Sequence, residues 1–113
     1  MGTRENRRTE IPPGTLDMLI LKSLARGPMH GYGIAEHIHQ MSEDVLEVEE
    51  GSLYPALQRL LIQGWVSAEW GQSENNRRAR FYRMTASGRK QLERELSEFQ
   101  RVMRAITRVI QTA

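Results

Sequence analysis

The stretch Glu50-Gly51-Ser52-Leu53-Tyr54-Pro55-Ala56-Leu57-Gln58-Arg59-Leu60-Leu61-Ile62-Gln63-Gly64 decides the fold. Leu53, Leu57, Leu60 and Leu61 recur at the 4-3-1 spacing that puts them on one face of a helix. Ser52 is placed to accept from the orphan amides of a helix start, Pro55 is early enough for a first turn, and Gly64 is a natural stop. The other face carries Ser52, Tyr54, Gln58, Arg59 and Gln63, with one charge among many hydrogen-bonding groups. A greasy underside with a polar, nearly neutral top suits a helix laid in a DNA major groove, where Gln, Ser and Arg reach base edges. An ordinary amphipathic surface helix has the same pattern, so the neighbours must decide.

Downstream, the period changes from 3.6 to 2. Val66, Ala68 and Trp70 alternate with Ser67 and Glu69, Gly71 to Asn76 is a turn cluster, and Ala79 to Met84 reads as a returning strand. A β-hairpin is therefore expected, with Arg77, Arg78, Arg80 and Arg83 at or near its tip. Four Arg in seven residues is otherwise a solvated charged face; beside a polar-faced helix it favours contact with phosphates. Trp65 and Trp70 are expected to pack under the hairpin. Thr85 can cap a last helix reaching about Ile110. Its Leu92, Leu96, Phe99, Met103, Ile106 and Ile110 are spaced 4, 3, 4, 3, 4, a heptad seam that Val102 and Val109 widen. So long a helix on so small a domain points to pairing with a second copy.

Upstream, residues 1–13 form a polar arm with Arg4, Arg7 and Arg8, closed by Pro12-Pro13 and expected to be disordered without a partner. A first helix is predicted from Gly14-Thr15 to Arg26, stopped by Gly27-Pro28. Leu16, Met18, Leu19, Ile20, Leu21 and Leu24 cover most of its circumference, so it needs a second buried surface, for which a partner subunit is the natural source, through Leu16, Leu19 and Ile20. A second helix is predicted over Tyr32 to Met41, with Ile34, Ile38 and Met41 facing inward. The segment 42–50 is acidic and aperiodic apart from a short extended piece, Val45-Leu46-Glu47-Val48. Two helices joined by a short connection, the second with a polar outer face, make a helix-turn-helix.

The chain has 113 residues, 39% apolar and 27% charged, enough for one domain. It has no cysteine, so disulfides and thiol chemistry are excluded. No apolar run approaches membrane-spanning length, and the first residues lack both a signal-peptide core and the myristoylation pattern, so a cytoplasmic, nucleoid-associated location is expected. The net charge of +2 is small, but residues 1–70 hold 6 basic and 10 acidic side chains while residues 71–113 hold 10 and 4. Fourteen of the sixteen basic residues are Arg, suited to bidentate phosphate and guanine contacts.

Other chemistry finds little support. His37 and His39 point about 200° apart on a helix and cannot share an ion, and His30 lies before it, where it either fixes the turn into that helix or is simply exposed. Gly31 and Gly33 lack the third spaced glycine of a nucleotide fingerprint. No Ser near a His has a third orienting group. Neither enzyme activity, catalytic residues, a metal nor a cofactor is expected.

The residues thus describe a mainly α, α+β chain in three parts: an arm (1–13), a winged helix-turn-helix with a small β-hairpin (14–84), and a long C-terminal dimerisation helix (85–113). Four of its segments resemble the PadR family of bacterial transcriptional regulators. They are Gly14-Thr15-Leu16-Asp17-Met18-Leu19-Ile20-Leu21, Gly27-Pro28-Met29-His30-Gly31-Tyr32, Gly51-Ser52-Leu53-Tyr54-Pro55-Ala56-Leu57 and Phe81-Tyr82-Arg83-Met84-Thr85. The tract 69–80 is similar to a short, acidobacterial-type subgroup. The resemblance implies a homodimeric repressor on a palindromic operator in double-stranded DNA. Ser52 and Tyr54 would touch the backbone, Pro55, Gln58 and Arg59 would lie at base edges, and Arg77, Arg78 and Arg80 would reach an adjacent minor groove. It also implies release by a small, commonly aromatic effector near the dimer interface, although the helix after Gln91 has no Trp for one to stack on, so no residue is assigned to it. Glu47, Glu49 and Glu50 would oppose phosphates just before the polar-faced helix. The alternative function is a winged helix that binds protein rather than DNA.

Overall fold

The first helix, α1 (Leu16–Leu24), is the element the others pack around: Met18, Ile20, Leu21 and Leu24 are all buried. Its buried Ser23 hydroxyl donates to the Leu19 carbonyl at 2.8 Å, so no polar group is stranded there. The computed structural model describes residues 9–12 and 14–112. In chain order it contains β1 (Thr9–Glu10), α1, β2 (Met29–His30), α2 (Gly31–Met41), β3 (Leu46–Glu47), α3 (Glu50–Ile62), β4 (Val66–Gln72), β5 (Arg78–Met84) and α4 (Ala86–Gln111). The core joins α1 to Ile34 and Ile38 of α2, Leu53, Ala56, Leu57 and Leu60 of α3, Val66, Tyr82 and Met84 of the hairpin, and Leu92 of α4.

The helix α3 buries the leucine face that its spacing predicts, with Ala56 added at 0% exposure. It begins earlier than expected. Glu49 occupies the N-cap position, so Ser52 lies inside the first turn and is not the cap. Pro55 is consequently in the second turn, and the amide it lacks would have bonded the carbonyl of Gly51. Gly51 is exposed, so water can take up that carbonyl. The far end stops as foreseen. Gly64 adopts φ +77, its amide donates to Leu61 O and that of Trp65 to Leu60 O, both at 3.0 Å, closing the helix in a Schellman turn.

The hairpin is as read from the alternation, with Ser73 N donating to Arg77 O at 2.8 Å across the turn and Asn76 at φ +63. A third strand joins it. β2 pairs antiparallel with the free edge of β5, Met29 opposite Tyr82 and His30 opposite Phe81, giving the order β2-β5-β4. His30 then caps α2, its Nδ1 accepting from Gly33 N at 3.0 Å, which is the turn-fixing role its position suggested.

The described end of the arm, residues 9–12, is ordered. Thr9 and Glu10 pair in parallel with Leu46 and Glu47, and Ile11 packs against the core, so the end of the arm is stapled to the connection before α3. Arg4, Arg7 and Arg8 lie outside the described residues.

The last helix is capped as expected, Thr85 Oγ1 accepting from Gly88 N at 3.0 Å while donating to Gly64 O at 2.7 Å. Thr85 N also donates to Trp65 O at 3.0 Å, so α4 starts bolted to the corner between α3 and β4. Its seam divides in two. Leu92 is buried and Leu96 half-buried against the subunit's own core, while Phe99, Met103, Ile106 and Ile110 stand exposed at 40, 40, 44 and 74%. Ile20 and Leu92, both expected at a subunit interface, are enclosed by their own subunit, because α1 is surrounded by the other elements and α4 crosses it. Leu16 and Leu19 remain half-buried at the edge of that core. Among the described residues no helix is long and apolar enough to cross a membrane.

Candidate nucleic-acid interface

With Leu53, Leu57 and Leu60 inward, the helical period turns Ser52, Tyr54, Pro55, Gln58 and Arg59 outward, and all five are exposed. The hairpin completes the surface through its own period of two. Val66 and Met84, then Ala68 and Tyr82, then Trp70 and Arg80, then Gln72 and Arg78 form successive cross-strand pairs on one face. The first of these pairs is buried in the core and the last overhangs it, so Arg78 and Arg80 project from the face that lower down packs against the helices. Arg77 stands exposed in the turn beside them.

Between the hairpin and the helices lies a cleft of about 700 Å³. Tyr54 of α3, His30 and Tyr32 at the start of α2, and Trp70, Arg78, Arg80 and Tyr82 of the hairpin line it. The arginines are held by rings: the Arg78 guanidinium carbon sits 4.5 Å from the Trp70 ring centre and that of Arg80 5.9 Å from Tyr82. Trp70 is 59% exposed, and its role is to support Arg78, not to pack beneath the hairpin; Trp65 does pack against the core.

Tyr54 is held from below. Gly31 is buried, and a Cβ there would lie 2.7 Å from the Tyr54 hydroxyl, so the phenol rests on bare backbone at the start of α2. Partial burial, followed by the charge of Glu50 and the nearby Tyr82, pushes the Tyr54 pKa up and keeps the hydroxyl a donor across the neutral range.

Arg59 has a partner that no local pattern announces. Its Nη2 donates to Asp17 Oδ1 at 2.8 Å and its Nε to Oδ2 at 3.4 Å, joining α3 to the first turn of α1. The pairing raises the Arg59 pKa further. The guanidinium expected at a base edge is thus already engaged along one side. Glu49 and Glu50 are exposed at the helix start, where Glu50 complements the helix dipole. His39 contacts Asp44 at 3.3 Å and Leu46 O at 3.1 Å, which ties down the α2–α3 connection.

Asp17, Gly31 and Trp70 were missed as contributors to this surface. Their signals are spatial: each acts on a residue in another element or across the hairpin.

The architecture has close counterparts. The chain is similar to a transcriptional regulator from Clostridium thermocellum, at 26% identity and a TM-score of 0.79, covering 87% of this chain and 95% of that one. It is similar to a PadR family transcriptional regulator from Eggerthella lenta, at 27% identity and a TM-score of 0.75, covering 88% and 85%. The PadR of Bacillus subtilis, solved in complex with operator DNA, shares the fold at 23% identity and a TM-score of 0.65, covering 76% of this chain and 48% of that one. Residues 20–94 match the model of the Transcriptional regulator PadR-like family. Together with the winged helix-turn-helix and its arginine-bearing hairpin, that match places the chain in the PadR-like family of transcriptional regulators, which are not enzymes.

Proposed function

We propose that the protein is a sequence-specific, homodimeric repressor that binds a palindromic operator and blocks transcription by occupying it. Each subunit sets α3 into a major groove, and the two copies lie about one helical turn, ~34 Å, apart. Ser52 and Tyr54 grip the backbone, while Pro55, Gln58 and Arg59 face base edges. Arg77, Arg78 and Arg80 follow phosphates into the flanking minor groove. The observation that carries this reading is that Tyr54 of α3 and Arg77, Arg78 and Arg80 of the hairpin line one cleft, while Ser52, Pro55, Gln58 and Arg59 are exposed on the same helix. A duplex backbone threads such a cleft while the helix enters the groove.

Dimerisation uses the distal seam of α4, Leu96, Phe99, Met103, Ile106 and Ile110, with Leu16 and Leu19 at its margin. The support is an apolar stripe on a helix whose residues 97–111 are all exposed. A small aromatic effector would act through the same interface, and the protein would work at the nucleoid in the cytoplasm.

The test is a salt titration of binding to the DNA upstream of the protein's own gene, against random DNA of equal length. Preference for the upstream fragment, with log affinity falling by about 0.9 per phosphate neutralised for each tenfold rise in salt, supports the reading. Absence of preference at every salt concentration rejects autoregulation through that fragment. Absence of binding to either DNA favours a winged helix that docks on protein, a reading that the neutralised Arg59 and the exposed Glu49 and Glu50 make specific.

A further inference from the structure

Arg59 is the only Lys or Arg on α3. A cation on a recognition helix pulls on every phosphate it passes, and that pull carries no sequence information. In this protein the pull is met by Asp17. The carboxylate lies against the Nε–Nη2 side of the guanidinium, with the Asp17 side chain 23% exposed and that of Arg59 58% exposed. Asp17 stands in the first turn of α1, where the dipole of that helix favours its charge whether or not Arg59 is present. It is therefore a fixed anion, and Arg59 is the mobile partner.

A guanidinium has two forked edges. The edge taken by Asp17 cannot also donate to a phosphate. The Nη1–Nη2 edge stays free, and a fork of two N–H groups is what matches O6 and N7 of guanine. Pairing thus cancels most of the charge that draws Arg59 to the backbone, and it leaves the Nη1–Nη2 edge of an exposed side chain available to a base. Glu49 lines the same cleft as Asp17 and Arg59 and deepens the negative surroundings that keep phosphates at a distance.

We infer that Asp17 is a specificity-determining residue: it withholds Arg59 from phosphates and presents it to bases, so that it widens the gap between operator and random DNA. This rests on the DNA-binding function proposed above, and it concerns a residue on a helix that need not touch DNA.

The test uses the full chain with Asp17→Asn, which keeps the shape and removes the charge, and measures affinity for operator and random DNA from 50 to 200 mM salt. Random-DNA affinity should rise most at low salt. The advantage over wild type should shrink by roughly 12-fold across that range, the share of one added phosphate contact in each subunit of the dimer. Operator affinity should rise less, or fall, so that the ratio between the two narrows. In an Arg59→Ala background, Asp17→Asn should change neither affinity, because there is no cation left to release.

An equal gain on both DNAs would mean that Asp17 acts only as a background charge, and a gain that survives Arg59→Ala would mean that it acts on another residue; either overturns the inference. Wild-type protein that binds neither DNA overturns the inference and the proposed function together. Wild-type preference for the operator with an unmoved Asp17→Asn variant overturns the inference alone. An exposed pair contributes little to folding, so the variant should keep the native circular dichroism spectrum. Asp17→Ser serves as a second variant with the same expectations.

Discussion

Gly88 lies directly against the backbone carbonyl of Trp65, with no space between them for even a methyl group. The first turn of α4 therefore touches the corner between α3 and β4 backbone to backbone, alongside the bonds of Thr85 to Gly64 and Trp65. Through this junction the helix proposed to set the dimer is rigidly joined to the helix proposed to enter DNA.

Gly88→Ala should push the two apart. Overpacking of this kind costs about 1–3 kcal/mol, and the obstacle here is main chain that cannot rotate away. Thermal denaturation followed by circular dichroism should show a fall in Tm of at least about 5 °C. A Tm within one degree of wild type would show that the junction yields easily.

Gly31 and Tyr54 form a second close contact, in which the obstacle to a side chain is the phenol hydroxyl. Gly31→Ala should displace Tyr54 and weaken operator binding. Tyr54→Phe removes the nearest obstructing atom, so the two changes together should cost less than the sum of their separate effects. Strictly additive losses in a titration of all four proteins would mean that Gly31 does not support Tyr54.

The same phenol makes stability sensitive to alkali. Burial is the main reason its pKa is raised, with Glu50 and Tyr82 adding to it. The folded protein thus holds this proton to higher pH than the unfolded chain does. The resulting stability is complete below the ordinary phenol value of about 10 and is lost as pH rises through the folded value. Tyr32, raised chiefly by its hydrogen bond to Glu36, behaves in the same direction. Urea denaturation from about pH 10 upward should therefore fall less steeply for Tyr54→Phe than for wild type. Equal slopes would remove Tyr54 from the account.

Replacing Arg77, Arg78 and Arg80 together with Ala should weaken binding to all DNA sequences alike and flatten the log–log salt slope by about 5.4, three phosphates per subunit and six per dimer at 0.9 each. A loss confined to one operator would show that the hairpin reads groove shape.

Ile106→Glu places two carboxylates in the proposed seam. Dynamic light scattering should report a monomer, and operator affinity should fall by about a hundredfold or more, because neither charge has a partner there. The hairpin and its core should survive, since Ile106 touches neither. A variant that remains dimeric would move the interface elsewhere.

Periodicity made much of this legible. The leucine spacing of α3, the alternation of β4 and β5, the stop at Gly64 and the cap at Thr85 are local signals that local backbone physics enforces. So is the outward placement of Ser52, Tyr54, Gln58 and Arg59. What stayed hidden depends on neighbours distant in sequence. Met29 and His30 form a strand only because β5 offers them an edge, and Thr9 and Glu10 only because Leu46 and Glu47 do. Leu92 reads as part of one unbroken seam, yet it is claimed by the core where α4 crosses α1. Asp17 and Arg59 are 42 residues apart, each on a face that periodicity marks only as polar.

The stacking of Arg78 on Trp70 also makes the wing its own optical reporter. Of the two Trp residues, Trp65 packs against the core and Trp70 is exposed beneath the guanidinium. If a phosphate draws Arg78 away, the indole loses its charged cover and its emission changes. In a Trp65→Phe background all the indole fluorescence comes from the hairpin, so engagement of the wing can be timed separately from that of α3 without attaching a dye.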